Sequence, residues 1–219
     1  MLPLTDRTIV IEDCGLEPYT PILRLQHELH RKRRLGRAPN TILLVEHTPV
    51  ITLGARQSAN KLLADRPEIE RRGIEIIEIR RGGGTTAHNP GQLVIYPVLS
   101  LADFRLGISE YIRTLELIGS ELLTALGVPA GRRDGFPGLW IAGKKIASIG
   151  VRVSRGVTFH GMAVNIKNDL TIFDYLIPCG LEGIQMTSVA EQTNADVSMS
   201  TARKLVTELL TVHFSQVRT

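Results

Sequence analysis

The chain has 219 residues, 43% of them hydrophobic and 22% charged, with 26 basic and 22 acidic side chains for a net charge of +4. That length fits one compact domain, and the composition excludes a disordered, collagenous or coiled-coil chain. Two cysteines exclude a disulfide scaffold, and +4 over this length does not by itself argue for nucleic-acid binding.

Residues 1–9 carry Asp6 and Arg7 and no long apolar run, so neither a secretory signal nor a membrane span is expected. The expected compartment is a reducing cytoplasm, where Cys14 reads as a small buried hydrophobe. Thr20-Pro21 followed by Ile22, Leu25 and Leu29 predicts a helix with Thr20 as N-cap. It ends at Gly36 after the basic run Arg31-Lys32-Arg33-Arg34, whose charges suit a helix C-terminus. Four short β-branched runs bounded by Pro, Gly or Asn predict strands: 41–46 (TILLVE), 50–53 (VITL), 74–79 (IEIIEI) and 93–98 (LVIYPV). Apolar spacing of three or four from Ile108 through Leu115, Ile118 and Leu122 to Leu126 predicts a long helix closed by Gly127. Residues 139–142, a Gly143-Lys144 turn and a strand over 145–153 have a hairpin signature. A strand over 158–166, an irregular stretch containing Ile177-Pro178-Cys179-Gly180 and a helix over 200–214 complete the chain. No repeat or linker interrupts it, so 1–219 reads as a single domain. Clustered strands predict an α+β fold, a mixed β-sheet flanked by helices.

The densest glycine cluster is Arg80-Arg81-Gly82-Gly83-Gly84-Thr85-Thr86-Ala87-His88-Asn89-Pro90-Gly91-Gln92. Glycines there allow close backbone approach to a ligand, and Arg81 and His88 add polar handles. The cluster lacks the Gly-Lys-Ser/Thr ending of a phosphate loop and leads into a strand, which excludes the nucleotide-loop reading; a hairpin loop that needs glycine for its turns remains open. No metal is expected: the six histidines are scattered, and His27 and His30, three apart, read as solvated helix residues.

Cys179 lies in a segment unsuited to regular structure, where scaffolds commonly present nucleophiles, although a lone cysteine is also compatible with an inert thiol. Its activation needs a cation or a base. In a strand over 145–153 the period of two puts Lys145 on the apolar face with Ala147, Ile149, Val151 and Val153, where a desolvated lysine has a lowered pKa. Lys144 falls in the turn and faces water. A Lys145 that snorkels from the strand's end is the alternative.

Together these residues resemble the lipoyl(octanoyl) transferases of the lipoate pathway. The resemblance rests on four ordered blocks: Thr41-Ile42-Leu43-Leu44-Val45-Glu46-His47-Thr48-Pro49-Val50-Ile51-Thr52-Leu53-Gly54; the glycine cluster from Arg81 through Gln92 with Leu93-Val94-Ile95-Tyr96-Pro97; Pro137-Gly138-Leu139-Trp140 through Lys145-Ile146-Ala147-Ser148-Ile149-Gly150-Val151-Arg152-Val153-Ser154, with His160-Gly161-Met162-Ala163-Val164-Asn165; and Pro178-Cys179-Gly180 with Thr187-Ser188. They run through about residues 31–190. The resemblance implies a fold like the catalytic domain of biotin and lipoate protein ligases. It implies a dyad with Cys179 as acyl-thioester nucleophile and Lys145 as the group that lowers its pKa. It also implies an acyl and carrier-arm site formed by Arg81, Gly82, Gly83, Gly84, Thr85, Thr86, Ala87 and His88, by Ser148, Ile149 and Gly150, and by Gly161, Met162 and Ala163. Where the family has Tyr the chain has Ala87, which is expected to reshape the pocket and shift acyl-length preference. Asn89 stands where the family has glycine.

By the same resemblance the donor is octanoyl-acyl carrier protein, and the acceptors are lipoyl domains of 2-oxoacid dehydrogenase complexes and the glycine cleavage H protein. No cofactor, ATP, nucleic acid or membrane is implied. Basic residues 31–37, or Arg80 and Arg81, are expected to dock an acidic carrier. Three other readings are an ATP-dependent lipoate or biotin ligase on the same fold, a nucleic-acid-binding module using residues 31–37, and a cysteine hydrolase with His88 or His160 as base.

Overall fold

The computed structural model describes residues 8–215, the side chains of Cys179 and Ser215 excepted. The expectation about a leader falls mainly on residues 1–7 and lies outside them. Chain order begins with β1 (Ile9–Glu17), α1 (Tyr19–Arg34), β2 (Asn40–His47), β3 (Val50–Leu53), α2 (Arg66–Arg71), β4 (Glu75–Glu78), β5 (Thr86–His88) and β6 (Gln92–Val98). It continues with α3 (Ile108–Ala125), β7 (Gly131–Arg133), β8 (Phe136–Ile141), β9 (Lys144–Ser154), β10 (Val157–Asn165), α4 (Val189–Thr193) and α5 (Met199–Ser215). Short 3-10 helices occupy Gln57–Ala59, Leu170–Tyr175 and Pro178–Gly180.

The main sheet has the order β1-β2-β6-β10-β9-β8-β7 and is antiparallel except for the parallel β1–β2 pair. This is the mixed sheet flanked by helices that strand clustering predicts. Alternation along the central strands divides the core in two. Ile42, Leu44, Leu93 and Ile95 pack with Leu115, Ile118 and Leu122 of α3 and Val206 and Leu210 of α5. Leu43, Val45, Val94 and Tyr96 face the other way and meet Tyr19 and Ile22 of α1. On that second side lies a small sheet, β4-β3-β5, in which β3 is parallel to β4 and antiparallel to β5. Its far face packs Ile51, Leu53 and Ala87 against Ile69, Ile172, Phe173 and Leu176.

Three local expectations are corrected. Pro18, not Thr20, occupies the N-cap of α1, without a side-chain cap, because burying Tyr19 at 1% exposure anchors the helix one residue before Thr20. The hairpin turn is Ala142-Gly143, both at positive φ (47° and 79°), so Lys144 is the first residue of β9 rather than part of the turn. His30 is half-buried: its Nε2 is 3.1 Å from the Ser154 carbonyl, and its ring packs on Phe159.

Candidate active site

A bulge decides which way Lys145 points. Register along β8 and β9 runs Gly138↔Ser148, Leu139↔Ala147 and then Trp140↔Lys145, leaving Ile146 as an extra residue. Ile146 and Ala147 both enter the α3/α5 core with Leu139. Beyond the bulge the alternation is reset, so Lys145 shares the face of Trp140, Ser148 and Gly150 and not that of Ala147. Strict alternation therefore puts Lys145 on the wrong face, although the burial it leads one to expect is present at 2% exposure. The Lys145 Nζ lies 5.2 Å from the Trp140 ring centroid. Its backbone is pinned as well: Lys145 N–H donates to the Gln185 carbonyl (2.8 Å), and Thr187 N–H donates to the Lys145 carbonyl (2.9 Å). A side chain at Gly138 would collide with the Ala147 carbonyl and the Lys145 Cε, so glycine there leaves room for the lysine.

A slot opens on this same face. Ser148, Gly150, Gly161 and Ala163, together with the backbone of Ile149 and Met162, form its floor; Val94 and Tyr96 continue it, and Tyr19, Arg81, Thr86 and His88 cover it. The cross-strand pairs Ser148↔Ala163 and Gly150↔Gly161 keep the floor low. A Cβ on Gly150 would press on Arg81 Cδ at 3.0 Å, whereas Gly161 is required by backbone packing, since its Cβ would meet the Ile95 carbonyl at 2.1 Å. The slot holds about 400 Å³ of atom-free space, mouth included, but only about 30 Å³ is wide enough for water. It is a narrow groove whose lining has to part around any chain that enters.

The slot thus gathers Arg81, Thr86, His88, Ser148, Ile149, Gly150, Gly161, Met162 and Ala163 from the expected set. Gly82, Gly83, Gly84, Thr85 and Ala87 lie off it. Gly84 packs on Ala59, where a Cβ would stand 2.2 Å from the carbonyl oxygen, and Thr85 Oγ1 accepts from Lys61 N–H. Ala87 alternates away from Thr86 and His88 into the far core of the small sheet, fully buried. Ala87 therefore does not line this slot, contrary to the expectation that it shapes the pocket directly. Cys179 lies in the Pro178–Gly180 turn, and its side chain is outside the described residues.

Arg81 is 6% exposed and turned inward, with Nη2 donating to the Thr52 carbonyl (3.0 Å) and Oγ1 (2.8 Å). It is not available for surface docking; Arg80 is exposed. The basic run of α1 lies far from Lys145: His30 at its start contacts Ser154, at the opposite end of β9 and about 30 Å away along the strand.

Four residues missed by sequence reasoning as slot residues are Tyr19, Val94, Tyr96 and His160. Three buried histidines lie in or beside the slot. His47 Nδ1 donates to the Glu17 carbonyl (3.0 Å), which leaves Nε2 to accept from the Tyr96 hydroxyl (2.9 Å). His88 Nδ1 donates to Gln92 Oε1 (2.7 Å), Gln92 Nε2 donates to Asn165 Oδ1 (2.9 Å), and Asn165 Nδ2 donates to the Thr187 carbonyl (2.9 Å). This relay crosses the sheet from the slot to the segment that pins Lys145. Burial lowers the pKa of all three: His47 to about 4, His160 to about 3 with help from Arg81, and His88 well below its usual value. They are neutral at physiological pH. Burial, then Glu12 and its acidic neighbours, raises the Cys14 thiol, which stays protonated. Among the described residues no cluster of three His, Cys, Asp or Glu could hold a metal ion, and no helix is long and apolar enough to cross a membrane.

Residues 18–211 match the family described as Lipoyl protein ligase A/B catalytic domain. An octanoyltransferase of Syntrophobacter fumaroxidans is 38% identical over 91% of this chain and 88% of its own, and one of Solibacter usitatus is 38% identical over 96% and 93%. Among solved structures, a bipartite lipoate protein ligase from Thermoplasma acidophilum superposes with a TM-score of 0.67 over 94% of this chain and 85% of its own, at 19% identity. The biotin protein ligase of Aquifex aeolicus reaches 0.52 over 95% and 70%, at 13% identity. At those identities the two structures speak for the fold alone. Matched along nearly its whole length by this family and its octanoyltransferase members, the chain belongs to the lipoyl protein ligase A/B catalytic-domain family as an acyltransferase of the octanoyltransferase group.

Proposed function

We propose that the protein moves an octanoyl group from octanoyl-acyl carrier protein to the lysine of lipoyl domains through a thioester on Cys179, and that residues 1–219 act as one catalytic domain. The observation that carries this reading is the burial of Lys145 on the slot face of β9, in line with a floor of small side chains. The Cys179 thiolate attacks the donor's thioester carbon, and the tetrahedral intermediate collapses to acyl-cysteine. The carrier's thiolate leaves and takes a proton from the Lys145 ammonium. The amine of the acceptor lysine then attacks the acyl-cysteine, its extra proton passes to the Lys145 amine, and the Cys179 thiolate is released. One thioester is consumed and one amide is formed, with no ATP and no metal in the balance. The Ser148-to-Arg152 stretch of β9 spans about 13 Å, room for an extended eight-carbon chain.

Lipoyl-domain acceptors are supported by the Thermoplasma acidophilum ligase, which works in a lipoylation system with its own E2 lipoyl domain. The deciding experiment mixes the protein with octanoyl carrier protein and looks by mass spectrometry for a hydroxylamine-sensitive adduct. Cys179→Ser is expected to abolish it, and an undiminished adduct in that variant overturns the assignment. Addition of an apo lipoyl domain without ATP is expected to give its octanoyl amide.

A further inference from the structure

At the end of the slot remote from Lys145 the regular strand breaks. His160 has φ 57°, in the left-handed region. Its N–H donates to the Oε1 of the fully buried Gln26 (2.8 Å), and pairing of β10 with β6 begins only at Met162. Consecutive strand residues point to opposite faces, yet the Phe159 and His160 rings stack with centroids 4.9 Å apart. The left-handed residue has swung the imidazole back across the slot, where it meets Tyr96 edge to face at 6.4 Å. Left-handed backbone is disfavoured for a residue other than glycine, so position, not backbone preference, accounts for this ring.

His160 lines two cavities at once. On one side is the narrow slot; on the other is an open-mouthed chamber with about 640 Å³ of atom-free space, mouth included, walled by Leu23, Ile79, Phe159 and the stems of Arg80 and Arg152, with His27 and Glu78 at its edge. Among the described residues no other lines both. The floor changes at the same point: after Ser148↔Ala163 and Gly150↔Gly161 the next outward-facing pair is Arg152↔Phe159, bulky and stacked. His160 Nδ1 is buried with no hydrogen-bond partner among the described residues, so packing rather than a hydrogen bond at that nitrogen holds the ring there.

We propose that His160 is the stop that sets the length of acyl chain the slot accepts, and that the chamber behind it receives the tail of a longer chain once the ring is removed. This rests on the reading of the slot as the acyl site with its carbonyl end at Lys145. Lys145 stays beyond the opposite end of the slot floor, so His160 determines specificity and takes no part in the proton transfers.

The test compares wild type with His160→Gly and His160→Asn. Both replacements suit a positive φ and keep the N–H that reaches Gln26. Binding of free fatty acids of six to twelve carbons is measured by calorimetry, beside transfer from the matching acyl carrier proteins to an apo lipoyl domain. In an unobstructed apolar groove each added methylene strengthens binding roughly fourfold. Wild type is expected instead to bind dodecanoate at least roughly tenfold more weakly than octanoate, in line with the cost of a misfit methylene in a closed pocket. His160→Gly is expected to reverse that order, and His160→Asn to move the break toward ten carbons. The same length profile in all three proteins, or no break in wild type, overturns the stop. Absence of transfer by wild type from every carrier overturns the carrier-thioester reading instead, while the fatty-acid series still decides the role of His160.

Discussion

Lys145 carries its Nζ 5.2 Å from the centroid of the Trp140 ring, its cross-strand partner. The face of an indole attracts an ammonium, and at a desolvated site that attraction is worth up to about 2 kcal/mol. Trp140→Leu is expected to slow formation of the acyl adduct roughly tenfold or more, and Trp140→Phe to retain most of the rate. Rapid-quench mass spectrometry checks both, with thermal melting to show that each variant is folded.

Restoring an aromatic ring at Ala87 affects stability rather than substrate choice. Ala87 is fully buried against Ile51 and Phe173, on the face turned from the slot. Ala87→Tyr overfills that core and is expected to cost about 1–3 kcal/mol in denaturant unfolding while leaving the preferred chain length unchanged.

Neighbouring arginines in α1 are expected to behave differently. Arg33 donates to Asn40 Oδ1 (2.9 Å) and the Ala38 carbonyl (3.1 Å) and is paired with the enclosed carboxylate of Asp103. Arg33→Glu leaves that carboxylate facing a like charge, at a cost of about 3–5 kcal/mol. Arg34 is exposed. Arg34→Glu is expected to change stability by less than about 0.5 kcal/mol and, at low salt, to leave the apparent affinity for carrier protein as it was.

Acid destabilises this protein through its buried histidines. The folded-state values of about 4 for His47 and about 3 for His160 lie below the unfolded value, so the unfolded chain binds more protons as pH falls. Their contribution is intact above about pH 6.5 and declines below it, by about 2 kcal/mol for each residue at pH 5. Denaturant midpoints at pH 7.5 and pH 5 measure the loss. His47→Gln is expected to reduce the difference between them.

Strands β2, β3 and β6 are legible in the sequence because they are continuous apolar runs buried on both faces. The strand β1 is not, because Ile9–Glu17 interleaves charges and owes its conformation to parallel pairing with β2. Three-residue β5 is hidden inside the glycine cluster for a related reason: β3 makes it a strand. The slot follows the same pattern. Ser148, Gly150, Gly161 and Ala163 sit in contiguous motifs, whereas Tyr19 reaches it from a helix start outside every motif, with no local signal that it meets the Tyr96 strand. One inserted residue, Ile146, separates a correct expectation of burial at Lys145 from an incorrect expectation of its face. Period-two patterns cannot register a bulge that only the partner strand reveals.

Ala59 serves two loops at once. A Cβ on Gly84 would stand 2.2 Å from its carbonyl oxygen, and one on Gly180 would stand 2.9 Å from its Cα. The loop that carries Arg81 toward the slot and the turn that contains Cys179 therefore lean on the same small residue from different directions. Neither can shift inward past it, so the roof of the groove and the turn bearing the proposed nucleophile share a mechanical reference point. Bulk added at position 59 would act on both with a single change in the chain.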